Sequence, residues 1–381
     1  MEVLSSVLTP FSAIVNNANI MIWLFALAAF LFVYRLTPVV VHVALKKRLS
    51  TPINERSSHD KTIPAFGGVP IFAVLILFTS FVSSVHYEPL ANWMVVSFMI
   101  MFGVGFKDDL LIIAPKTKFY GQFLASLVVI FHPSLIISNL HGFLFIHHLP
   151  EYAAIFFALF FMLALNNAFN LIDGIDGLAS SVAIIVSTFF AFYFWMVKDL
   201  FYVYLCSCVV GALLAFLIFN FAGGIKKIFL GDCGSLVLGL FLGIMSLRFL
   251  ASAGSYDIQF TLPENKFLIV LALLIVPILD TARVIFIRLK KGQSPFYPDR
   301  NHMHHLVVDW LGSHKKATLF IVSVNALCIG VIFILSNYLT WVYVMIALCL
   351  MYAALLMALG YIVKLNKNVS KVRERRHHPV F

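Results

Sequence analysis

Eleven stretches of this chain are apolar over about the length that crosses a bilayer: 20–44, 66–86, 91–106, 119–137, 151–170, 178–197, 200–221, 234–252, 266–287, 317–337 and 339–363. A hydrocarbon core takes about 20 residues of helix. The expected fold class is therefore all-α: a polytopic membrane protein of about eleven transmembrane helices. The weakest of these segments is 119–137, which Pro133 interrupts. Charge agrees, since only 12% of residues are charged, roughly half the share of a soluble domain. The expected organisation is a single transmembrane catalytic domain over 1–363 and a basic cytoplasmic tail over 364–381.

Loop charge sets the orientation. With the N-terminus outside, the cytoplasmic segments are 45–65, 107–118, 171–177, 222–233, 288–316 and the tail, and they hold 22 of the 27 Lys and Arg. Lys198, Arg248 and Lys266 fall on the other side. Such a bias is what the positive-inside rule requires. The net charge of +10 is thereby explained by loops facing anionic lipid, and nucleic acid is not an expected partner. Glu2, with no Lys or Arg before Arg35, does not suit the basic start of a signal peptide. No internal repeat of the kind many transporters carry is visible. The five cysteines (Cys206, Cys208, Cys233, Cys328 and Cys349) lie in or beside apolar runs without metal-ligand spacing and read as small core residues.

The same topology gathers the carboxylates. Asp108, Asp109, Asp173, Asp176, Asp232, Asp280, Asp299 and Asp309 fall at or near the cytoplasmic face, with His302, His304, His305 and His314. A transporter tends to hold such groups near the bilayer midplane. Gathered on one surface, they suit an enzyme that joins a water-soluble substrate to a lipid-borne one.

The densest polar stretch runs from Asn166 to Gly177, between two apolar runs. Ionisable groups beside lipid are costly and mark a site. On a helix, Asn166, Asn170 and Asp173 share one face, and Gly174 and Gly177 allow a tight turn or close approach. Lys107-Asp108-Asp109 closes the third apolar run. Adjacent carboxylates of this kind hold Mg²⁺ or divide base and charge roles between them. Lys116, Lys118 and Gln122 begin the next helix, where a cation suits a lipid phosphate. From Asn220 to Ser235, Asp232 lies in a glycine-rich turn before a helix, which can bring an acid and exposed N–H groups to one ligand. Phe229 can stack on a flat base. In Ser294–Leu306, three histidines near Arg300 suit an anion better than zinc, because the spacing is irregular and no Cys is near. Each motif alone also reads as a cap, a turn or a solvated loop. His141, His147 and His148 read as loop residues on the opposite face, and Arg283 as a local partner of Asp280.

Together the motifs resemble the polyprenyl-phosphate N-acetylhexosamine-1-phosphate transferase superfamily (glycosyltransferase 4 family). The ordered match runs from Asn54-Glu55-Arg56, His59-Asp60-Lys61, Pro64 and Gly67-Gly68, through Asp108-Asp109 and Asn167–Gly177, to Gly231–Ser235 and His302–His305. Asp299–Leu306 looks like the branch that makes lipid-linked GlcNAc, since Leu306 stands where the muramoyl-pentapeptide branch has a third consecutive His. Ala65 departs from the Arg that GlcNAc-type members often have. The spacing between Asn220 and Asp232 also differs from some relatives, and both departures leave the sugar preference open.

The resemblance implies transfer of GlcNAc-1-phosphate from UDP-GlcNAc to undecaprenyl phosphate, releasing UMP, as the first lipid-linked step of a cell-surface polysaccharide such as O-antigen. It implies Mg²⁺, with Mn²⁺ as a substitute, and a bacterial inner membrane with the active site facing the cytoplasm. Expected partners are a UDP-sugar, a polyprenyl phosphate and membrane lipid, with a homodimer as an open assembly. By matching positions, Asp232 and Asn170 are the expected metal ligands. Asp108 is the candidate base or activator of the lipid phosphate, and Asp109 would position the metal or the nucleophile. Lys118 is assigned to the lipid phosphate. Arg300, His302, His304 and His305 are assigned to the pyrophosphate, with His304 also placed among the catalytic residues. Asp173, Gly174, Asp176, Asn220 and Phe229 are assigned to the uridine side, and Lys61 and Asn167 join the substrate-binding set. The alternatives are the phospho-MurNAc-pentapeptide reaction, another UDP-HexNAc, and, from a different class, a nucleotide-sugar or ion transporter.

Overall fold

The computed structural model describes residues 18–49, 63–252, 261–294 and 302–377, with side chains to 365. Thirteen α-helices form among them: α1 Ala18–Lys46, α2 Gly68–Val85, α3 Leu90–Leu111, α4 Pro115–Ile130, α5 Glu151–Ile172, α6 Leu178–Met196, α7 Leu200–Asn220, α8 Asp232–Ala251, α9 Lys266–Leu273, α10 Ile275–Lys290, α11 Met303–Leu311, α12 His314–Tyr338 and α13 Trp341–His377. No strand forms among the described residues; an isolated antiparallel bridge joins Asn139 and His148. The all-helical, multi-span reading holds.

Nine of these helices are long and apolar enough to cross a membrane, and α9 with α10, bent by 68°, makes a tenth if the pair is one span. The difference from eleven lies at 119–137. There α4 has 16 residues and stops at Ile130, before Pro133, whose missing N–H and fixed φ end a helix. At about 1.5 Å per residue, α4 falls short of a full crossing. The second difference lies inside 266–287, where the chain is apolar from Phe267 to Leu279 but the helix breaks at Leu274 (φ −105°, ψ 19°).

The chain forms two compact units. The first comprises 1–138, 149–167 and 183–260. Its centre is α8, nearly all of whose residues are buried, as expected of a helix apolar on every side. Helix α8 packs against α3 and α2, while α1 lies along α7. Among helices already in lipid there is no hydrophobic gain from association, so dispersion and close approach carry the packing. The Phe25 and Tyr204 rings stack with centroids 4.9 Å apart. Arg248 pairs with Asp199 at 3.1 Å and lies over the Tyr202 ring, 5.2 Å from its centroid.

The second unit comprises 139–148, 168–182 and 261–381. In it α9 packs on α12, and α11 on both α12 and α13. Its α12–α13 turn is held by one buried amide: Asn265 Nδ2 donates to the carbonyls of Ser336 at 3.0 Å and Leu339 at 2.8 Å. Thr261 donates to the same Ser336 carbonyl at 3.0 Å, so C-terminal carbonyls that helix geometry leaves open gain partners. The short turn around the bridge docks Phe143 and Phe145 on Trp341, at 5.6 Å and 5.2 Å.

Candidate functional site

In the first unit the chain folds back to make one acidic cluster. The Pro64–Gly68 segment runs beside Phe229–Leu230: Phe229 N–H donates to Pro64 O at 2.9 Å, and Gly67 and Gly68 N–H donate to Phe229 O and Leu230 O, each at 2.8 Å. Asn220 closes the same turn, donating to Ile228 O at 2.9 Å. The turn then reaches Gly231, at φ +76°, where an added Cβ would collide with the Ala65 carbonyl. Only glycine accepts both conditions without strain, and α8 starts from there with Asp232 as its first residue.

Asp109, at the end of α3, caps that start. Its Oδ1 accepts the Asp232 N–H at 2.8 Å and its Oδ2 the Cys233 N–H at 2.9 Å. A carboxylate here satisfies two orphan donors and meets the positive end of the helix dipole. Close approach of α3 depends on Gly105, whose Cβ would stand 2.6 Å from Asp232 O.

Asp108 faces the other way. Its Oδ1 accepts the Ile113 N–H at 2.8 Å, which fixes the carboxylate as the chain leaves α3. Its Oδ2 lies 2.9 Å from Lys118 Nζ, and the same ammonium lies 3.1 Å from Asp232 Oδ2. One cation thus bridges carboxylates from two helices. The group is half-buried, with side-chain exposures of 11% for Asp108, 17% for Lys118 and 30% for Asp232. Adjacent in sequence, the two acids of Asp108-Asp109 have distinct jobs: one shares a cation, the other holds a helix end.

Asn166 and Asn167 lie in the same unit. Asn166 is buried and donates to Ser126 Oγ at 3.3 Å; Asn167 donates back to Leu163 O at 2.8 Å, within its own helix. Phe229 is half-buried, with Lys227 Nζ 5.4 Å from its ring centroid.

The second unit holds a different cluster. Asp280, on α10, is buried. Its Oδ2 lies 3.0 Å from His302 Nδ1 and 3.6 Å from His304 Nδ1, and its Oδ1 accepts the Met303 N–H at 2.6 Å. The rings of His302 and His304 stack at 5.5 Å, and His305 lies 4.3 Å from His304, tilted. On the opposite side of His304 stands Gly174, where a Cβ would strike Nε2.

Gly174 belongs to the loop after α5, which ends at Ile172. Asn170 is therefore in the last turn of that helix and Asp173 just beyond it. The loop is held at Asp176, whose backbone carbonyl accepts the Thr318 hydroxyl at 2.6 Å, while its Oδ2 lies 3.7 Å from His314 Nδ1. The structure thus brings Gly174, His302, His304 and His305 together, and Asp176 with His314. Lys61 and Arg300, with the Asn54–Asp60 motif residues, lie outside the described residues.

Asp280, His314 and Thr318 gain roles that spacing did not give them. The Asp280–Arg283 interval of three reads as a local pair, and the Asp280 carboxylate also reaches the start of α11. His141, His147 and His148 lie between α4 and α5, outside any α-helix; burial, then the charges of Lys266, His147 and His148, holds His141 below the ordinary imidazole range.

Three donor types are therefore present: half-buried carboxylates sharing a cation, a glycine turn at a helix start, and imidazoles backed by a carboxylate. Residues 92–250 match the model described as "Glycosyl transferase family 4". The chain is 28% identical over 337 residues to an undecaprenyl-phosphate alpha-N-acetylglucosaminyl 1-phosphate transferase from Escherichia coli O157:H7, covering 87% of this chain and 88% of that protein. Its Yersinia pestis counterpart is 27% identical over 359 residues, 93% of each chain. A Bacillus subtilis protein named as a probable undecaprenyl-phosphate N-acetylglucosaminyl 1-phosphate transferase is 29% identical over 309 residues, 79% of this chain and 83% of its own. The resemblance to these relatives extends over most of the chain.

Proposed function

From a chain whose residues 92–250 match the glycosyl transferase family 4 model, we propose that this protein moves GlcNAc-1-phosphate from UDP-GlcNAc to undecaprenyl phosphate, giving undecaprenyl-diphosphate-GlcNAc and UMP. The observation that carries the reading is the single cation position shared by Asp108 and Asp232, at 2.9 Å and 3.1 Å from one ammonium. The relatives' names give the undecaprenyl phosphate acceptor and the N-acetylglucosaminyl 1-phosphate group, and UDP-GlcNAc as the donor is part of the proposal.

The reaction sets one phosphate anion against a pyrophosphate. An oxygen of the lipid phosphate bonds to the sugar-bearing phosphorus, the P–O bond to UMP breaks, and the electron pair leaves with UMP. Positioning and charge compensation carry such a transfer. Two carboxylate oxygens at one cation position fit a hard divalent ion with oxygen ligands. Of these, Asp232 is the residue we assign to hold Mg²⁺, or Mn²⁺ in its place; Asn170 is assigned with it from the motif resemblance alone. When bound, that ion would neutralise charge on the pyrophosphate.

The chain's own groups do the rest. Lys118 sits between the two acids, and its ammonium is the group we assign to the lipid phosphate. Asp108 orients that phosphate and accepts any proton it carries. With Oδ1 held by Ile113 N–H and Oδ2 by Lys118, Asp108 is better placed for this than for forming a covalent phospho-enzyme, so direct attack is the preferred course. Asp109 holds Asp232 in register. Arg300, His302, His304 and His305 take the pyrophosphate. Lys61, Asn167, Asp173, Gly174, Asp176, Asn220 and Phe229 serve the rest of the UDP-sugar. The loop charge bias supports an N-terminus outside, a cytoplasmic site and an inner-membrane location.

Purified protein given UDP-GlcNAc, undecaprenyl phosphate and Mg²⁺ should release UMP in step with a lipid-linked product, and EDTA should stop it. UDP-MurNAc-pentapeptide should be a poor donor. Flux of a UDP-sugar into liposomes without UMP would sink the reading in favour of a transporter. A trapped phospho-enzyme would overturn direct attack alone.

A further inference from the structure

We infer that Asp280 is a positioning residue: it holds His302, and through it the start of α11, so that the Nε2 edge of the ring is the one offered to the phosphoryl oxygens of the donor substrate. The inference rests on the reading of this protein as a sugar-phosphate transferase.

The geometry comes from three separate segments. Asp280 lies near the middle of α10, His302 and Met303 open α11, and Gly174 lies in the loop after α5. Asp280 and His304 are buried to 3% and 2% exposure. A buried carboxylate is costly unless its oxygens are occupied. Here Oδ1 takes the Met303 N–H, the first donor of a nine-residue helix, and Oδ2 lies at hydrogen-bond distance from His302 Nδ1. With a carboxylate at Nδ1, the proton there is committed. A histidine's two nitrogens have separate roles, and the partner of one decides what the other can do. For His302 the nitrogen left for a ligand is Nε2. Nε2 is therefore the atom that would meet a phosphoryl oxygen.

His304 is held from both sides. Its Nδ1 faces Asp280 at 3.6 Å, beyond a hydrogen bond, and its Nε2 edge meets Gly174, where no side chain fits. The loop at 173–177 and the histidines are thereby in register, so Asp280 governs the place of two rings from one buried point.

The same three residues can be read as a metal site, since one ligand atom from each lies within 4.8 Å of the others. The hydrogen-bond reading is favoured because Oδ1 is already spent on the Met303 N–H and the Oδ2–His302 distance is that of a hydrogen bond. The experiment separates the two.

Asp280→Asn keeps the size of the side chain and removes its charge. UMP release should fall roughly 10- to 100-fold, the scale of loss when the group behind a working histidine is removed. His302→Gln should fall similarly, and Asp280→Asn/His302→Gln no further than the worse single variant. In protein with ¹⁵N-labelled histidine, one hydrogen-bonded Nδ1–H signal should vanish in Asp280→Asn, which a general loss of packing would not single out. Should Asp280→Asn fail to fold, Gly174→Ala presses on His304, the second ring that Asp280 faces, without touching charge, and should raise KM for the UDP-sugar. Full turnover by Asp280→Asn, additive losses in the double variant, or one equivalent of tightly held zinc lost on Asp280→Asn would each overturn the inference. Wild-type protein that releases no UMP would defeat the functional reading instead, and the ¹⁵N signature would still test the Asp280–His302 bond.

Discussion

The two acidic clusters use carboxylates in opposite ways. In the first unit, Asp108 and Asp232 share a flexible ammonium at a half-exposed position. In the second, Asp280 is buried against two imidazoles and a backbone N–H. Lysine's stem has four rotatable carbons and its ammonium is a point charge, so the first arrangement can exchange one cation for another. Imidazole rings packed around a buried acid cannot do so without repacking. One cluster is built for a partner that comes and goes; the other is built to hold a shape. Where an acid is placed, and what sits against it, decides its use more than its identity does.

That contrast can be broken by experiment. The largest effect should come from Asp108→Asn and Asp232→Asn, each costing turnover on the order of 10²–10³-fold or more if they hold charge at the reacting phosphates. Near-normal turnover in both would remove the first cluster from the chemistry. Lys118→Met comes next. Turnover should fall roughly tenfold or more as a phosphate contact is lost, while Mn²⁺ binding followed by electron paramagnetic resonance should tighten, because two acids lose their resident cation. Weaker Mn²⁺ binding in Lys118→Met would make the lysine a scaffold rather than a place-holder. Asp280→Asn should leave that Mn²⁺ affinity unchanged; a shared loss would erase the contrast between the clusters. The smallest effect on activity belongs to Asn265→Ala. It removes the donor to Ser336 and Leu339 and should cost about 1–3 kcal/mol of stability, seen as a lower thermal midpoint, with turnover per folded molecule preserved.

The sequence made the spans legible because a bilayer demands long apolar runs, and α5, α6, α7 and α8 fall close to where those runs lie. Two features escaped it for physical reasons. The break at Leu274 sits in Leu-Leu-Ile, with no glycine or proline at the bend; Pro277, three residues on, is the nearest local signal. Segment 119–137 was already the weakest span because of Pro133, and what composition did not show was that the helix would stop at Ile130, short of a crossing. At the site, the clustering of acids near glycines was visible, as was the Asn-rich end of α5. The division of labour between Asp108 and Asp109 was not, since neighbours on a helix point about 100° apart and only the fold shows what each one faces. Asp280 was hidden more deeply. An acid with an arginine three residues on looks complete in itself, and the spacing gave no sign of the partners 22 and 23 residues away.

Asp109 has a consequence for anyone ranking residues by lost growth or lost turnover. Both its oxygens are consumed in fastening the first two amides of α8, so removing it would unseat Asp232 without any group having left the reaction. A genetic screen would score that lesion beside true participants. Telling the two apart takes a measurement that follows where the helix begins, such as amide exchange at Asp232 and Cys233, rather than one that counts product.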